Sequence, residues 1–412
     1  MSNHRASEPE PPPLSLYHLL DPAVLANPYP LYRRLREQDP VHWDPYLHAW
    51  VVTRYADAVT VLHRFKAART PAPDRLAALG MGELGPIAAV MVRQMLFLDP
   101  PEHGRVRRLA SVAFTPRRVE ALRDHIRHIA EVLVDRLAGK RCFDVMAALA
   151  DPLPAIVTAE LLGVPTSDHQ QLKSWSTDFA EMLGNFQHNP GRAKRVLQSV
   201  EEMVAYFHAA MIRETSDPTE GLINALATAE VDGDRLSEEE IVANIIVTMV
   251  GGQETTTNLI GNGLLTLLRQ PDQLERLRSD PALMPSAIEE LLRYESPSQH
   301  TARLAPVGAV LAGQEIPDGN AVIAVMGAAN RDPERFDDPD RLQLSREDNR
   351  HLAFGWAGHF CFGAPLARME GQIALETLLA RFSELSLASQ EDIRWRPNLG
   401  LRGLTELRVH AA

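Results

Sequence analysis

Ten consecutive residues, Phe354-Gly355-Trp356-Ala357-Gly358-His359-Phe360-Cys361-Phe362-Gly363, bring together one thiol, one imidazole, three glycines and four apolar aromatic rings. They stand directly before a run of apolar residues at helical spacing, from about Ala364 to Phe382. A cysteine placed there meets the partial positive charge and free amides of a helix N-terminus. Both favour thiolate, the form that attacks electrophiles and binds metals. The glycines let the backbone approach a bound group closely, and the rings keep water away. The plain alternative is a buried cysteine in a glycine-rich turn, because free cysteine commonly packs as a small apolar residue. A zinc centre fails on ligands, since His359 and Cys361 lack two further partners at metal-binding spacing.

A second cluster is Val250-Gly251-Gly252-Gln253-Glu254-Thr255-Thr256-Thr257. Each glycine inside a helix costs about 1 kcal/mol relative to alanine, so a helix that keeps a pair needs the room they leave. Steps of four set Val247, Gly251 and Thr255 on one face. The hydroxyl and carboxylate of Thr255 and Glu254 beside that gap could bind an oxygen ligand and relay protons to it. Gln253, Thr256 and Thr257 read as structural. Further on, Glu290-Leu291-Leu292-Arg293 pairs opposite charges across one helical turn, ordinarily a surface contact worth a few tenths of a kcal/mol. Between positions 105 and 123 six arginines face one glutamate, Glu120, in a chain of net charge −12. That cluster is either a solvated helix face or a surface that steers an acidic partner.

The frame for these groups reads as mainly helical. A helix is expected over 28–38, a small sheet from Val41–Trp43 and Trp50–Thr53, and an irregular, Pro- and Gly-punctuated stretch over 66–97. From Glu102 to about 294 the apolar spacing is mostly helical, and Ser237-Glu238-Glu239-Glu240 is a capping-box signature for a helix running to about Leu268. Short strands are expected at Val307–Leu311 and Ala321–Val325, an irregular stretch over 330–350, and a last helix from Ala364 to Phe382. With 412 residues, 45% of them hydrophobic, a sizeable core is available. Two cysteines, Cys142 and Cys361, exclude a disulfide scaffold and an all-cysteine iron–sulfur cluster and suit a reducing compartment. The negative net charge speaks against nucleic acid. No apolar run of membrane-spanning length and no signal-like start are visible, so a cytoplasmic protein without membrane insertion is expected.

The cysteine segment resembles the ligand signature of the cytochrome P450 family, matching it at Phe354, Gly355, His359, Cys361 and Gly363, with Ala357 where the family usually has glycine. Four other segments resemble the family in order and spacing. The resemblance implies a mainly α fold with a small β part: one α-rich catalytic domain over 14–412 with small antiparallel sheets, after a disordered Pro-rich tail at 1–13. Haem b would lie between the long central helix and the cysteine-ligand helix. Cys361 thiolate would bind the iron, pushing electron density toward dioxygen. Gly251, Glu254 and Thr255 would form the oxygen side. His103, Arg107, Arg303 and His359 would anchor the propionates, with Arg107 pointing inward. Glu290 and Arg293 would be buried and completed by an arginine from the loop before the cysteine segment, matched to Arg341 rather than Arg335.

The implied activity is that of a haem-thiolate monooxygenase, hydroxylating or epoxidising a hydrophobic small molecule with O2. Terpenoid, macrolide, steroid and fatty-acid substrates stay open. Electrons would come from a separate ferredoxin or flavodoxin with an NAD(P)H-dependent reductase, the arginines near 105–123 serving as docking face. Val247, Val250, Gln299 and Thr301 would touch substrate, with Met91, Met95, Phe179, Met182, Leu183 and Phe186 in the surrounding wall. A peroxide-driven enzyme of the same fold is the nearest alternative; keeping both Glu254 and Thr255 speaks against it. A haem sensor without turnover is the other, and it would have no use for that pair.

Overall fold

The computed structural model describes residues 14–184, 190–216, 218, 220–391 and 393–412; the segment 1–13 and Phe186 lie outside them. Five helices position the groups above: α1 (Glu102–Ala113), α2 (His169–Gly184), α3 (Glu238–Leu268), α4 (Met284–Tyr294) and α5 (Ala364–Arg381). The capping box that starts α3 is made in full. The Glu240 amide donates to Ser237 Oγ at 3.2 Å, and the Ser237 amide donates to the Glu240 carboxylate at 2.9 Å. Its 31 residues give a rod of about 46 Å at 1.5 Å per residue. This rod runs through the core, so its apolar residues wrap nearly all round it rather than lying on one face.

α5 packs along α3 where glycine allows it. A Cβ at Gly371 would come within 2.8 Å of Leu259 Cδ2, and one at Gly263 would meet Leu375 at 3.8 Å. Both contacts have the same sequence offset, so the two helices run in the same direction. Carried back toward the start of α5, that register sets Gly363, just beyond Cys361, level with Gly251.

The β part holds a four-stranded sheet in the order Val41–Asp44, Ala49–Val52, Ala321–Ala324, Thr301–Leu304. The middle pair is parallel and the flanking pairs are antiparallel. A three-stranded antiparallel sheet joins Cys142–Asp144, Arg408–Ala411 and Leu385–Leu387. Its strands are three or four residues long, too short for alternation to announce them in sequence. The 66–97 stretch is more ordered than expected, with short helices at Pro73–Ala78 and Gly85–Met91. Pro73 and Pro86 sit in the first helical positions, where proline starts a helix instead of breaking one. Among the described residues no helix is long and apolar enough to cross a membrane.

Candidate active site

Cys361 is placed by its own loop. Its amide donates to the Phe354 carbonyl at 2.7 Å, and Gly355, at φ +72°, turns the chain between them. Ala357 is also left-handed, at φ +54°. Alanine therefore follows the path expected of glycine, at a strain of about 1 kcal/mol. The sulfur lies at the N-terminus of α5, close to the Gly363 and Ala364 amides. Burial pushes the free thiol up, while those amides and the Arg107 and Arg368 charges pull it down. Burial is the larger effect and leaves the free thiol raised; as an iron ligand Cys361 would be the thiolate, because a coordinating thiol is deprotonated.

Beside the loop, basic groups outnumber acids: Asp99 is the carboxylate whose charge reaches His103 and Arg303, and it accepts the Ala67 amide at 2.7 Å. The His103 and His359 rings lie 4.0 Å apart between centroids, tilted by 34°. Arg303 is buried on the strand Thr301–Leu304 and donates to Thr301 Oγ1 at 3.1 Å, the period-two spacing having put both side chains on one face. Arg69 lies 4.5 Å over the Phe97 ring. Among the described residues none of Arg69, Arg107 and Arg303 makes an ion pair, and Arg303 Nε and His103 Nε2 are buried without hydrogen-bond partners. Burial and mutual repulsion leave their mark. His359 is pushed down to about 3 by burial and then by Arg303, and Arg69 to about 9 by burial and Arg303. Buried cations short of anions form a seat for a dianionic ligand. The two propionates of haem fit it, with Cys361 available to the iron. Arg69 is the member that sequence reasoning missed, since a lone arginine in a punctuated segment carries no local signal.

Arg107 reaches the same group from α1. It is half-buried, and its guanidinium donates to the Phe360 carbonyl at 2.8 Å, so its charge reaches Cys361 and both histidines from the cysteine loop.

Across the register described above lies the middle of α3. From Ile241 to Leu268 every residue is buried except Val247, Thr248, Gly251, Gly252 and Thr255. These five form one stripe in steps of three and four. A Cβ on Gly251 would meet nothing within 4 Å. A buried rod therefore opens on one side, at the level of the cysteine. The Thr255 hydroxyl donates to the Gly251 carbonyl at 2.7 Å, which commits its proton and leaves its lone pairs facing outward. Val250, expected at this face, is 2% exposed and packs in the core one position off the stripe. Gln299 is also taken up by the scaffold: it is 2% exposed, and Nε2 donates to the Ser296 carbonyl at 2.7 Å.

Glu254 is buried and turned sideways from Thr255. It accepts from Lys173 Nζ at 2.7 Å and Thr177 Oγ1 at 2.9 Å, both on α2, and from Arg396 at 3.1 Å. Asp151 bridges the same two cations at 3.2 and 3.0 Å. These partners come from distant parts of the chain, and no spacing pattern links them.

The Glu290–Arg293 pair is buried as expected, with both side chains 0% exposed and bonds of 2.8 Å. Its third member is Arg346, not Arg341. Arg346 Nε reaches the Glu290 carboxylate at 3.1 Å, while Arg341 is exposed and offers only its carbonyl to Arg293. The 330–350 loop folds back further than the matched spacing implied, presenting Gln343, Arg346 and Asn349 to Glu290. Arg335 pairs instead with Asp348 at 2.7 Å.

A cavity of about 460 Å³ lies between the 85–93 segment, the helix Pro190–Ser216 and the first turns of α3, with Val90, Val200, Val204 and Val242 in its wall beside Arg93, Glu201, His208 and Glu239. It lies over the N-terminal part of α3, about two turns before Gly251. On the arginine-rich stretch, Arg105, Arg108 and Arg123 are tied to nearby carboxylates. Arg117 and Arg118 stay exposed, with Arg118 donating to the Ala113 carbonyl at 2.9 Å.

Comparison with known proteins agrees with this geometry. Residues 86–404 match the family profile for cytochrome P450. The chain is 41% identical over 408 residues to cytochrome P450 107B1 of Saccharopolyspora erythraea, covering 94% of this chain and 96% of that protein. It is 37% identical over 392 residues to 6-deoxyerythronolide B hydroxylase of the same organism, covering 92% and 95%. Among solved structures, P450BioI in complex with acyl carrier protein ligated to hexadec-9Z-enoic acid superposes with a TM-score of 0.89 at 36% identity. It covers 95% of this chain and 99% of that one.

Proposed function

This chain belongs to the cytochrome P450 family and is a haem-dependent monooxygenase; on that premise we propose that it hydroxylates or epoxidises a hydrophobic small molecule held against the open stripe of α3. The observation that carries the reading is that stripe, Val247, Thr248, Gly251, Gly252 and Thr255, on a helix otherwise buried from Ile241 onward and level with Cys361. Haem supplies the chemistry of binding and cleaving dioxygen. The protein supplies position, dryness and protons. Cys361 would hold the iron, while Arg303, His103, His359, Arg107 and Arg69 would hold the propionates. Phe354, Gly355 and Gly363 would shape the loop around the sulfur. Gly251 leaves room for a diatomic ligand. The Thr255 oxygen, its own proton given to the Gly251 carbonyl, would accept a hydrogen bond from a protonated ligand and hold that proton in place. Glu254 would refill it by exchanging Lys173 or Arg396 for water, since both its oxygens are engaged at rest.

Substrate would be held by Val247 and Thr301, reaching them past that cavity, whose volume lies in the range of small-molecule sites. The 6-deoxyerythronolide B hydroxylase and the carrier-bound fatty acid among the similar proteins are consistent with an apolar substrate. Electrons would arrive from an acidic ferredoxin or flavodoxin, served by an NAD(P)H-dependent reductase, at the exposed Arg117 and Arg118. Residues 14–412 would act as one catalytic domain, in the cytoplasm. Thr255→Ala tests the assignment: oxygen consumption should continue while product formed per O2 falls several-fold. Unchanged coupling refutes the role of Thr255.

A further inference from the structure

Arg368 stands on α5, seven residues beyond Cys361. Its guanidinium lies 4.5 Å from the centroid of the Phe354 ring, and the carbonyl of that same residue accepts the Cys361 amide at 2.7 Å. On its other side Arg368 forks onto Glu289 of α4, Nε to Oε1 at 2.6 Å and Nη2 to Oε2 at 2.8 Å. His351 completes the group. Its Nδ1 accepts the Ala353 amide at 3.2 Å, which leaves the ring proton on Nε2, 3.3 Å from the Glu289 carboxylate. The contacts thus run from α4, through a carboxylate and a guanidinium, to the ring and carbonyl that seat the sulfur.

An isolated, partly exposed ion pair would contribute little to stability, about 0–1 kcal/mol. This pair has a buried histidine behind its acid and an aromatic face under its base, which fix the guanidinium in place. Held over the ring of the residue whose carbonyl takes the Cys361 amide, the Arg368 cation lies beside the loop that seats the sulfur, and a nearby positive charge favours the anion. Arg107 acts in the same sense but has no carboxylate partner among the described residues. Only the Arg368 charge is set against a built-in counter-charge, so Glu289 determines how much of it the sulfur receives.

We propose that Arg368 and Glu289 are positioning residues that set the electron density on the Cys361 sulfur, and with it the reduction potential of the bound haem, the cation raising the potential and the carboxylate moderating that effect. This rests on the haem-thiolate reading above. A cation beside the sulfur draws electron density from it and stabilises the more negative, reduced site. Removing that cation favours the oxidised form, and removing the carboxylate unmasks the cation and favours the reduced form. The two substitutions therefore move the potential in opposite directions. Loosened packing or admitted water would move both the same way.

The test is redox titration of the haem-loaded protein and its Arg368→Gln, Glu289→Gln and Arg368→Lys variants, each also recorded as the reduced, carbon-monoxide-bound spectrum. Arg368→Gln should lower the one-electron reduction equilibrium constant about three- to tenfold, about 30–60 mV at 59 mV per decade. Glu289→Gln should raise it, and Arg368→Lys, which keeps the charge but loses the fork, should stay near the parent value. Glu289→Gln keeps the side-chain volume and carries the sign test alone if Arg368→Gln fails to retain haem. Shifts of equal sign, or none, with a thiolate-type spectrum intact overturn the Arg368–Glu289 assignment and leave the haem-thiolate reading standing. A parent protein without that spectrum overturns the reading itself, and the assignment with it.

Discussion

Replacing Arg346 should damage this protein far more than replacing Arg341, although Arg341 is the better match to the expected spacing. Glu290 is fully buried and takes five donors. Arg293 Nε, Arg293 Nη2 and the Gln343 amide lie at 2.8 Å, and Arg346 Nε and Asn349 Nδ2 at 3.1 Å. Arg346→Ala deletes one charge-assisted bond to that carboxylate and a second to the Asp337 carbonyl at 2.9 Å. A hydrogen bond to a charged group contributes about 1.5–3 kcal/mol. Because Arg293 still neutralises Glu290, the loss falls short of the 3–5 kcal/mol typical of a buried charge left alone, and about 2–3 kcal/mol is expected. Arg341→Ala keeps the backbone groups that residue contributes, its carbonyl to Arg293 and its amide to the Asp338 carbonyl, and should stay within about 0.5 kcal/mol of the parent. Urea unfolding of the holoprotein, followed by circular dichroism with the slope checked for constancy, measures both. Equal losses, or a larger loss for Arg341→Ala, would show that the third arginine has been misassigned.

Ala357→Gly should stabilise the cysteine loop by about 0.5–1 kcal/mol, because φ +54° strains alanine and not glycine; a lower midpoint in the same urea assay would contradict this. Arg303→Met should weaken haem retention about tenfold or more, read as the rate and extent of haem transfer to an acceptor apo-globin, with unchanged transfer as the refuting result. Glu289 titrates near 2 in the folded chain against an ordinary 4.5: burial alone would raise it, but His351 and Arg368 hold it down. Its contribution is therefore complete above about pH 4.5 and lost as the pH falls toward 2. At 1.36 kcal/mol per pKa unit it amounts to at most about 3 kcal/mol. Glu289→Gln should flatten the acid limb of the stability profile, and an unaltered limb counts against the pairing.

Local signals in the chain were enough for much of the frame. The capping box at Ser237 and Glu240, the helix after Gly363 and the hairpin around Asp44 depend on residues within a few positions of each other, so their geometry is written in consecutive letters. The same holds for the cysteine loop and for the stripe Val247–Gly251–Thr255, where helical periodicity alone puts three residues on one face. Partners drawn from separate segments were not legible. Arg346 instead of Arg341, Lys173 and Arg396 on Glu254, Arg69 beside Arg303, and the burial of Val250 and Gln299 each depend on where a loop or helix comes to rest after packing. The sequence by itself determined which groups could bind iron, open a helix or carry a proton, because those are properties of side chains and short-range backbone geometry. Only the tertiary structure decided which charges neutralise one another and which are left facing the ligand seat, because electrostatic pairing depends on distance in space and on the water excluded around it.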